Sequence, residues 1–97
     1  MQYDIRYTLY PNGLGFYAEC NGQHVGEITF ATLGFNKMII DYTEVVSEFR
    51  HQAIGLNLVR CVANLARTKN RKIMPLCPFA RAMFNRYSEF DDVRISH

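Results

Sequence analysis

The chain has 97 residues, 48% hydrophobic and 21% charged, which describes one globular domain spanning 1–97 near the small end of the range that folds without staples. That composition excludes a low-complexity or disordered chain, and no apolar run approaches the roughly 20 residues a membrane span needs. The net charge of +2 hides an asymmetry: residues 1–48 carry −4 and residues 49–97 carry +6. A basic second half favours an anionic ligand there. The opening Met1-Gln-Tyr-Asp-Ile-Arg6 has no apolar h-region, so no targeting segment is expected. Three cysteines form no C-x-x-C and no cluster at metal spacing. Cys20 and Cys61 therefore read as small buried hydrophobes, no metal is expected, and a reducing cytoplasm is the expected home.

Turn signals divide the first half. Pro11-Asn-Gly13 and Asn21-Gly22 are strong β-turn pairs, and Leu33-Gly-Phe-Asn36 is a looser one. Between them lie Tyr3–Tyr10, Leu14–Cys20, Val25–Ala31 and Met38–Val45, rich in Tyr, Phe, Ile, Thr and Val. Loops of hairpin length predict an antiparallel meander of four strands, with Tyr3, Tyr7, Tyr10, Phe16, Tyr17 and Phe30 as strand residues. The period then switches. Ile54, Leu58, Cys61, Val62, Leu65 and Ala66 recur at helical spacing, predicting a helix over 54–68 that ends at Lys69-Asn70. Arg60, Arg67, Lys69, Arg71 and Lys72 read as its wet face and end. Lys72–Cys77 is a short apolar strand, expected to be buried and parallel. Pro78 suits the first turn of a shorter helix over 78–87. His24 and His97 have no partner in sequence and read as surface residues.

The chemistry gathers in residues 41–77. A strand that runs through a tight turn into a helix is an anion site, because the first-turn N–H groups lack partners and the dipole is positive there. The next strand delivers Cys77 just before Pro78, at another helix start, the electropositive setting in which a thiol becomes reactive. Strand, anion turn, helix, strand and thiol suggest a nucleotide-like or coenzyme ligand lying between two strands.

Four segments carry a resemblance: Ile40-Asp-Tyr-Thr-Glu-Val45, Arg50-x-x-Ala-x-Gly55, Lys72-Ile-Met-Pro-Leu-Cys-Pro-Phe-Ala80, and Phe84 with Glu89-Phe-Asp-Asp-Val93. On them the chain resembles the GNAT superfamily of acyl-CoA-dependent acetyltransferases, and more closely its short single-domain branch. The resemblance covers about residues 25–95. It implies an α+β fold in which a four-stranded antiparallel meander, a helix, a splayed parallel strand and a short C-terminal helix hold acetyl-CoA in the splay. By that resemblance the backbone of Val45 and Val46 would pair with the pantetheine arm. The amides of Arg50, His51, Gln52, Ala53, Ile54 and Gly55 would hold the pyrophosphate. Cys77 would lie close to the acetyl group, and Tyr42 would stand where relatives carry a histidine base. Relatives also carry glycines where His51 and Ala53 stand.

The reading that follows is a cytoplasmic N-acetyltransferase-like protein that takes acetyl-CoA as cosubstrate and passes acetyl to an amine or protein acceptor, directly or through Cys77. A non-catalytic CoA-binding or protein-interaction module is the alternative, supported by the replaced glycines and histidine. A nucleic-acid binder is the weakest reading. Only the basic second half supports it, and no aromatic RNA-binding motif or helix-turn-helix accompanies it.

Overall fold

The computed structural model describes residues 4–95; Tyr3, assigned above to the first strand, and His97, assigned to the surface, lie outside them. Strands β1 (Ile5–Leu9), β2 (Gly15–Cys20), β3 (Gln23–Leu33) and β4 (Lys37–Val45) form the expected antiparallel meander. A 3₁₀ turn at Ser47–Phe49 leads to α1 (Ile54–Lys69), then come β5 (Lys72–Pro75), α2 (Pro78–Arg86) and a 3₁₀ segment at Ser88–Val93. The sheet order is β1-β2-β3-β4-β5, with β5 parallel to β4. The fold is α+β, as expected.

Local chemistry sets the connections. Asn21 and Gly22 link β2 to β3 with φ of 51° and 80°, the pair of positive values that a type I′ hairpin requires. Asn70 ends α1 in the left-handed region, its N–H donating to the carbonyls of Ala66 and Arg67. Cys77 caps α2, and Pro78 follows in its first turn.

One face of the sheet is covered. The apolar stripe of α1, led by Ile54, Leu58, Val59 and Val62, packs with Ile28, Phe30, Met38 and Ile40 in one core cluster. Close packing at the start of α1 depends on Gly26, where an added Cβ would stand 3.2 Å from Ile54 Cγ2. The opposite face carries no helix among the described residues. Its strand residues, including Thr8, Tyr17, Glu27, Thr29, Asp41, Tyr42 and Glu44, are half-buried or exposed.

Two irregularities shape the region that matters. Thr29 pairs with Tyr42 and Phe30 with Ile40, so Asp41 is an extra residue bulged out of β4. Before the bulge Met38 and Ile40 face the helices; after it Thr43, opposite buried Ile28, does so, which turns Tyr42 and Glu44 to the uncovered face. The second irregularity is a splay. Strands β4 and β5 pair only from Lys37↔Lys72 to Ile40↔Pro75. The strand expected to reach Cys77 therefore stops at Pro75. Pro75 supplies no N–H, and the next two amides, of Leu76 and Cys77, converge on the single Ile40 carbonyl at 3.1 Å each.

The basic stripe of α1 is also corrected. Arg60 and Arg67 are not simply solvated: Arg60 holds the Glu89 carboxylate with two hydrogen bonds of 2.8 and 3.1 Å, and Arg67 holds Asp92 with two of 2.8 and 2.9 Å. Lys72 donates to the Asp92 carbonyl, and Arg71 to that of Phe35. The pairs clip the C-terminal segment onto α1. Both are substantially exposed, so each is worth about 0–1 kcal/mol. Phe90, fully buried and stacked on Phe84 with ring centroids 5.1 Å apart, contributes more, about 1.5–3 kcal/mol for the burial of such a side chain.

Candidate active-site cleft

Beyond Ile40 the splay leaves one edge of β4 without a neighbour. Hydrogen bonding alternates along an antiparallel pair. The Val46 N–H donates to the Val25 carbonyl, so the neighbouring pair Gly26↔Val45 directs the N–H and C=O of Val45 away from β3. The same alternation sends those of Thr43 into the gap. The Val45 carbonyl meets the Arg50 Nε there at 3.5 Å.

The turn before α1 supplies the complementary groups. Among the described residues the N–H groups of Ala53, Ile54, Gly55 and Leu56 donate to no carbonyl or side chain, and the first bond of the helix runs from the Asn57 N–H to the Ala53 carbonyl at 3.0 Å. These four donors stand at the positive end of a 16-residue helix with no acidic residue in its first turn. Ala53 adopts φ 57°, ψ 21° to make the turn. That conformation costs a residue with a Cβ about 1 kcal/mol relative to glycine.

Edge and turn open into one cleft of about 630 Å³, bordered by Tyr42, Thr43, Glu44, Val45, Arg50, Ala53, Gly55, Leu56, Phe79, Met83, Arg86 and Tyr87. Five of the residues singled out in the sequence meet there: Tyr42, Val45, Arg50, Ala53 and Gly55. The other five do not border it. Ile54 is wholly buried, and only its N–H belongs to the turn. His51 and Gln52 point to solvent. Two further amides of the expected set are already engaged inside the turn, that of Arg50 with the Ser47 carbonyl and that of Gln52 with the Phe49 carbonyl. The Val46 amide, engaged with Val25, is not available for a pantetheine arm. Cys77 stands one layer behind the wall, 7% exposed, its Sγ accepting from the Ala80 N–H and 3.3 Å from the Thr43 Oγ1.

Sequence reasoning did not identify the wall supplied by α2. Phe79, Met83, Arg86 and Tyr87 recur at helical spacing, which was the available signal. Phe79 closes the cleft over the turn: an added Cβ at Gly55 would come within 2.6 Å of its Cζ, so a ring fixes this glycine. Arg86 lies over the Tyr87 ring, 5.4 Å from its centroid.

Three titrating groups bear on the chemistry. Hydrogen bonding to the Glu44 carboxylate, reinforced by desolvation, raises the Tyr42 pKa above its ordinary value of 10.0, so Tyr42 is a phenol near neutral pH and acts as a donor. That disfavours the base role the resemblance implied for it. Burial pushes the Cys61 thiol up. On the uncovered face, desolvation and a hydrogen bond to Glu27 push Tyr10 up to about 12. No group of three or more His, Cys, Asp or Glu able to hold a metal occurs among the described residues. Nor is any helix among them long and apolar enough to cross a membrane.

A strand edge without a neighbouring strand, four free amides at a helix start and an apolar wall can together take a long ligand with amide groups at one end and phosphate at the other. Known proteins share this family and fold. A family described as GCN5-related N-acetyl-transferase matches residues 15–93, and the chain belongs to that family. It is similar to a GCN5-like protein of Staphylococcus aureus, with TM-score 0.75 and 29% identity over 95% of this chain and 89% of the other. It shares the fold of Ard1 from Thermoplasma volcanium, with TM-score 0.68, 18% identity and 79% of this chain covered, but spans only 55% of that larger protein. It likewise shares the fold of a GNAT family acetyltransferase from Elizabethkingia anophelis with acetyl-CoA bound, with TM-score 0.63 and 19% identity over 90% of this chain and 73% of the other. Among curated proteins none matches the chain in sequence.

Proposed function

We propose that this protein binds acetyl-CoA in the 630 Å³ cleft and transfers its acetyl group to a primary amine. One observation carries the reading. The unpaired β4 edge at Thr43 and Val45 and the free amides of Ala53, Gly55 and Leu56 open into the same cleft, in the order that a pantetheine arm and its pyrophosphate require. The edge bonds the amides of the arm as an added strand would, and Arg50 and the helix dipole complement the phosphates. Family membership and the bound acetyl-CoA of the Elizabethkingia structure support the same ligand. Residues 1–97 then act as one catalytic domain.

In the transfer the amine nitrogen attacks the thioester carbonyl carbon. A new C–N bond forms, the C–S bond to CoA breaks, and CoA leaves as a thiolate that takes up a proton. The attacking nitrogen loses one proton, for which Glu44 at the cleft is the acceptor, with Tyr42 beside it on the same face of β4.

The thiol route is the second reading, favoured by the 3.3 Å contact between the Cys77 Sγ and the hydroxyl of cleft-lining Thr43. There Cys77 attacks the carbonyl as thiolate, CoA leaves, and the amine displaces the cysteine from the acetyl-thioester. Burial of Cys77 favours direct transfer. Cys77→Ser is therefore expected to retain most of the acetyl transfer; loss of transfer with CoA binding intact, and acetyl-Cys77 seen by mass spectrometry, would establish the thiol route.

The test of binding is calorimetric titration with acetyl-CoA and CoA. Wild type is expected to bind both, and Arg50→Glu to bind several-fold more weakly. No binding at millimolar CoA overturns the reading. Binding without transfer to any amine leaves a CoA-binding module.

A further inference from the structure

The cleft is reached from two sides, and only one is occupied by helices. Its lining wraps around the β4 edge to Tyr42 and Glu44, which the Asp41 bulge turns to the uncovered face of the sheet. That face is continuous with the site. It is also chemically one-sided. Glu44 stands directly opposite Glu27, and Glu27 directly opposite Tyr17, so one row runs across three strands. The next row places Tyr42 beside Thr29, whose hydroxyl donates to the bulged Asp41 at 2.7 Å.

Like charges directly opposite one another destabilise a sheet. Glu27 and Glu44 are such a pair, and among the described residues neither forms an ion pair. One oxygen of Glu27 accepts from the Tyr10 hydroxyl at 3.0 Å, which neutralises nothing. Residues 1–48 hold two Lys or Arg, Arg6 on the far edge strand and Lys37 at the start of β4, and one histidine, His24, whose Nε2 lies 3.4 Å from the Tyr10 hydroxyl and whose ring meets Tyr17 edge-on. Around the carboxylates lie tyrosine rings: Tyr10 and Tyr17 are 5.1 Å apart, and Tyr42 is 45% exposed. Carboxylates interleaved with aromatic faces complement cations twice over, by charge and by ring quadrupole.

We infer that this uncovered face receives the acceptor, and that the acceptor is a lysine side chain within a basic polypeptide segment laid across β2, β3 and β4. The inference rests on the acetyl-transfer reading and adds the substrate class to it. The shape of the surface decides between a polypeptide and a small amine. Two smaller cavities, of about 200 and 210 Å³, lie away from this row, one lined by Asp4, Arg6, Glu19, Asn21 and Gly22 and the other by Met74, Pro75, Leu76, Arg81, Arg94 and Ile95, and a small polyamine laid on the row itself would stay largely in water. An extended chain gains contacts along the whole row, places its flanking cations over Glu27 and the rings, and leaves one lysine to turn over the β4 edge toward Glu44.

The test compares two synthetic peptides with saturating acetyl-CoA, each with one lysine, one flanked by arginines and the other by serines. The Arg-flanked peptide is expected to show kcat/KM on the order of tenfold higher, a gap that narrows as salt is added. Glu27→Gln keeps an acceptor for Tyr10 and is expected to raise KM for the Arg-flanked peptide several-fold. It should leave kcat, the acetyl-CoA affinity and the Ser-flanked reaction unchanged, a pattern that misfolding cannot produce. Equal kcat/KM for both peptides, or a silent Glu27→Gln in an enzyme that binds acetyl-CoA and acetylates amines, overturns the docking face alone. Preference for spermidine over the Arg-flanked peptide overturns the polypeptide assignment. Self-association abolished by Glu27→Gln would place a second copy of the chain on this face and overturn the proposal. Failure to bind acetyl-CoA removes the reading beneath it.

Discussion

The two faces of this sheet are built from the same five strands and do opposite work. On the helix side Ile28, Met38 and Ile40 are wholly buried and packing decides every position. On the other side the residues next to them, Glu27, Thr29, Asp41 and Tyr42, touch water, and chemistry is free to decide. The difference teaches where function can reside in a chain this small. One face must be spent on the core, and the bulge at Asp41 lets the second face meet the cleft.

The sharpest way to break that comparison is to truncate one buried and one exposed side chain. Phe90→Ala, which empties a wholly buried site under the C-terminal clip, is expected to lose about 3–5 kcal/mol in urea denaturation. Thr29→Ala on the open face should cost no more than about 1 kcal/mol, although it loses its bond to Asp41. Similar losses in the two variants would mean that the open face is structural after all.

A smaller effect is expected where the covered face meets the cleft. Gly55→Ala sets a methyl against the Phe79 ring and should destabilise by about 1–3 kcal/mol while weakening acetyl-CoA binding. Combining it with Phe79→Leu should recover stability. If the double variant shows simple additivity, the ring contact is not what fixes this glycine.

Ala53→Gly works in the opposite direction. It relieves the φ of 57° and is expected to stabilise by about 1 kcal/mol and to tighten acetyl-CoA binding, read from the denaturation midpoint and from calorimetry. A loss of stability would show that the Ala53 methyl contributes packing that outweighs its strain.

The smallest effect is a pH dependence. Arg60 lowers Glu89 and Arg67 lowers Asp92 below their ordinary values of 4.5 and 3.8. A lowered folded-state pKa gives stability that is fully present above the unfolded value and lost as pH falls through the folded one. The melting temperature should therefore fall below about pH 4.5, and Glu89→Gln with Asp92→Asn should flatten that fall. An unchanged acid limb would mean that other carboxylates set it.

Much of this was legible in the sequence, because it depends on local periodicity. The Asn21-Gly22 turn, the apolar spacing from Ile54 to Ala66 and the Pro78 start of α2 each carry their own signal, and the helix boundaries fell within one residue of those observed. The turn before α1, with its free amides, was legible for the same reason. What was not legible depends on register and on distance through space. A bulge at Asp41 is invisible to an alternating pattern, so the face shown by Tyr42 and Glu44 could not be read. The α2 wall of Phe79, Met83, Arg86 and Tyr87 becomes a wall only when Gly55 admits the ring. Arg60 and Arg67 looked solvated because their partners, Glu89 and Asp92, lie 25 or more residues away.

The most direct test of the central claim is the set of backbone amides that respond to acetyl-CoA in two-dimensional ¹H–¹⁵N spectra. Titration to millimolar ligand is expected to shift the amides of Thr43, Val45 and Ala53–Leu56 most, with Val46 and Gln52 less affected because their N–H groups are already bonded within the protein. Shifts confined to other strands, or none at all, would contradict it.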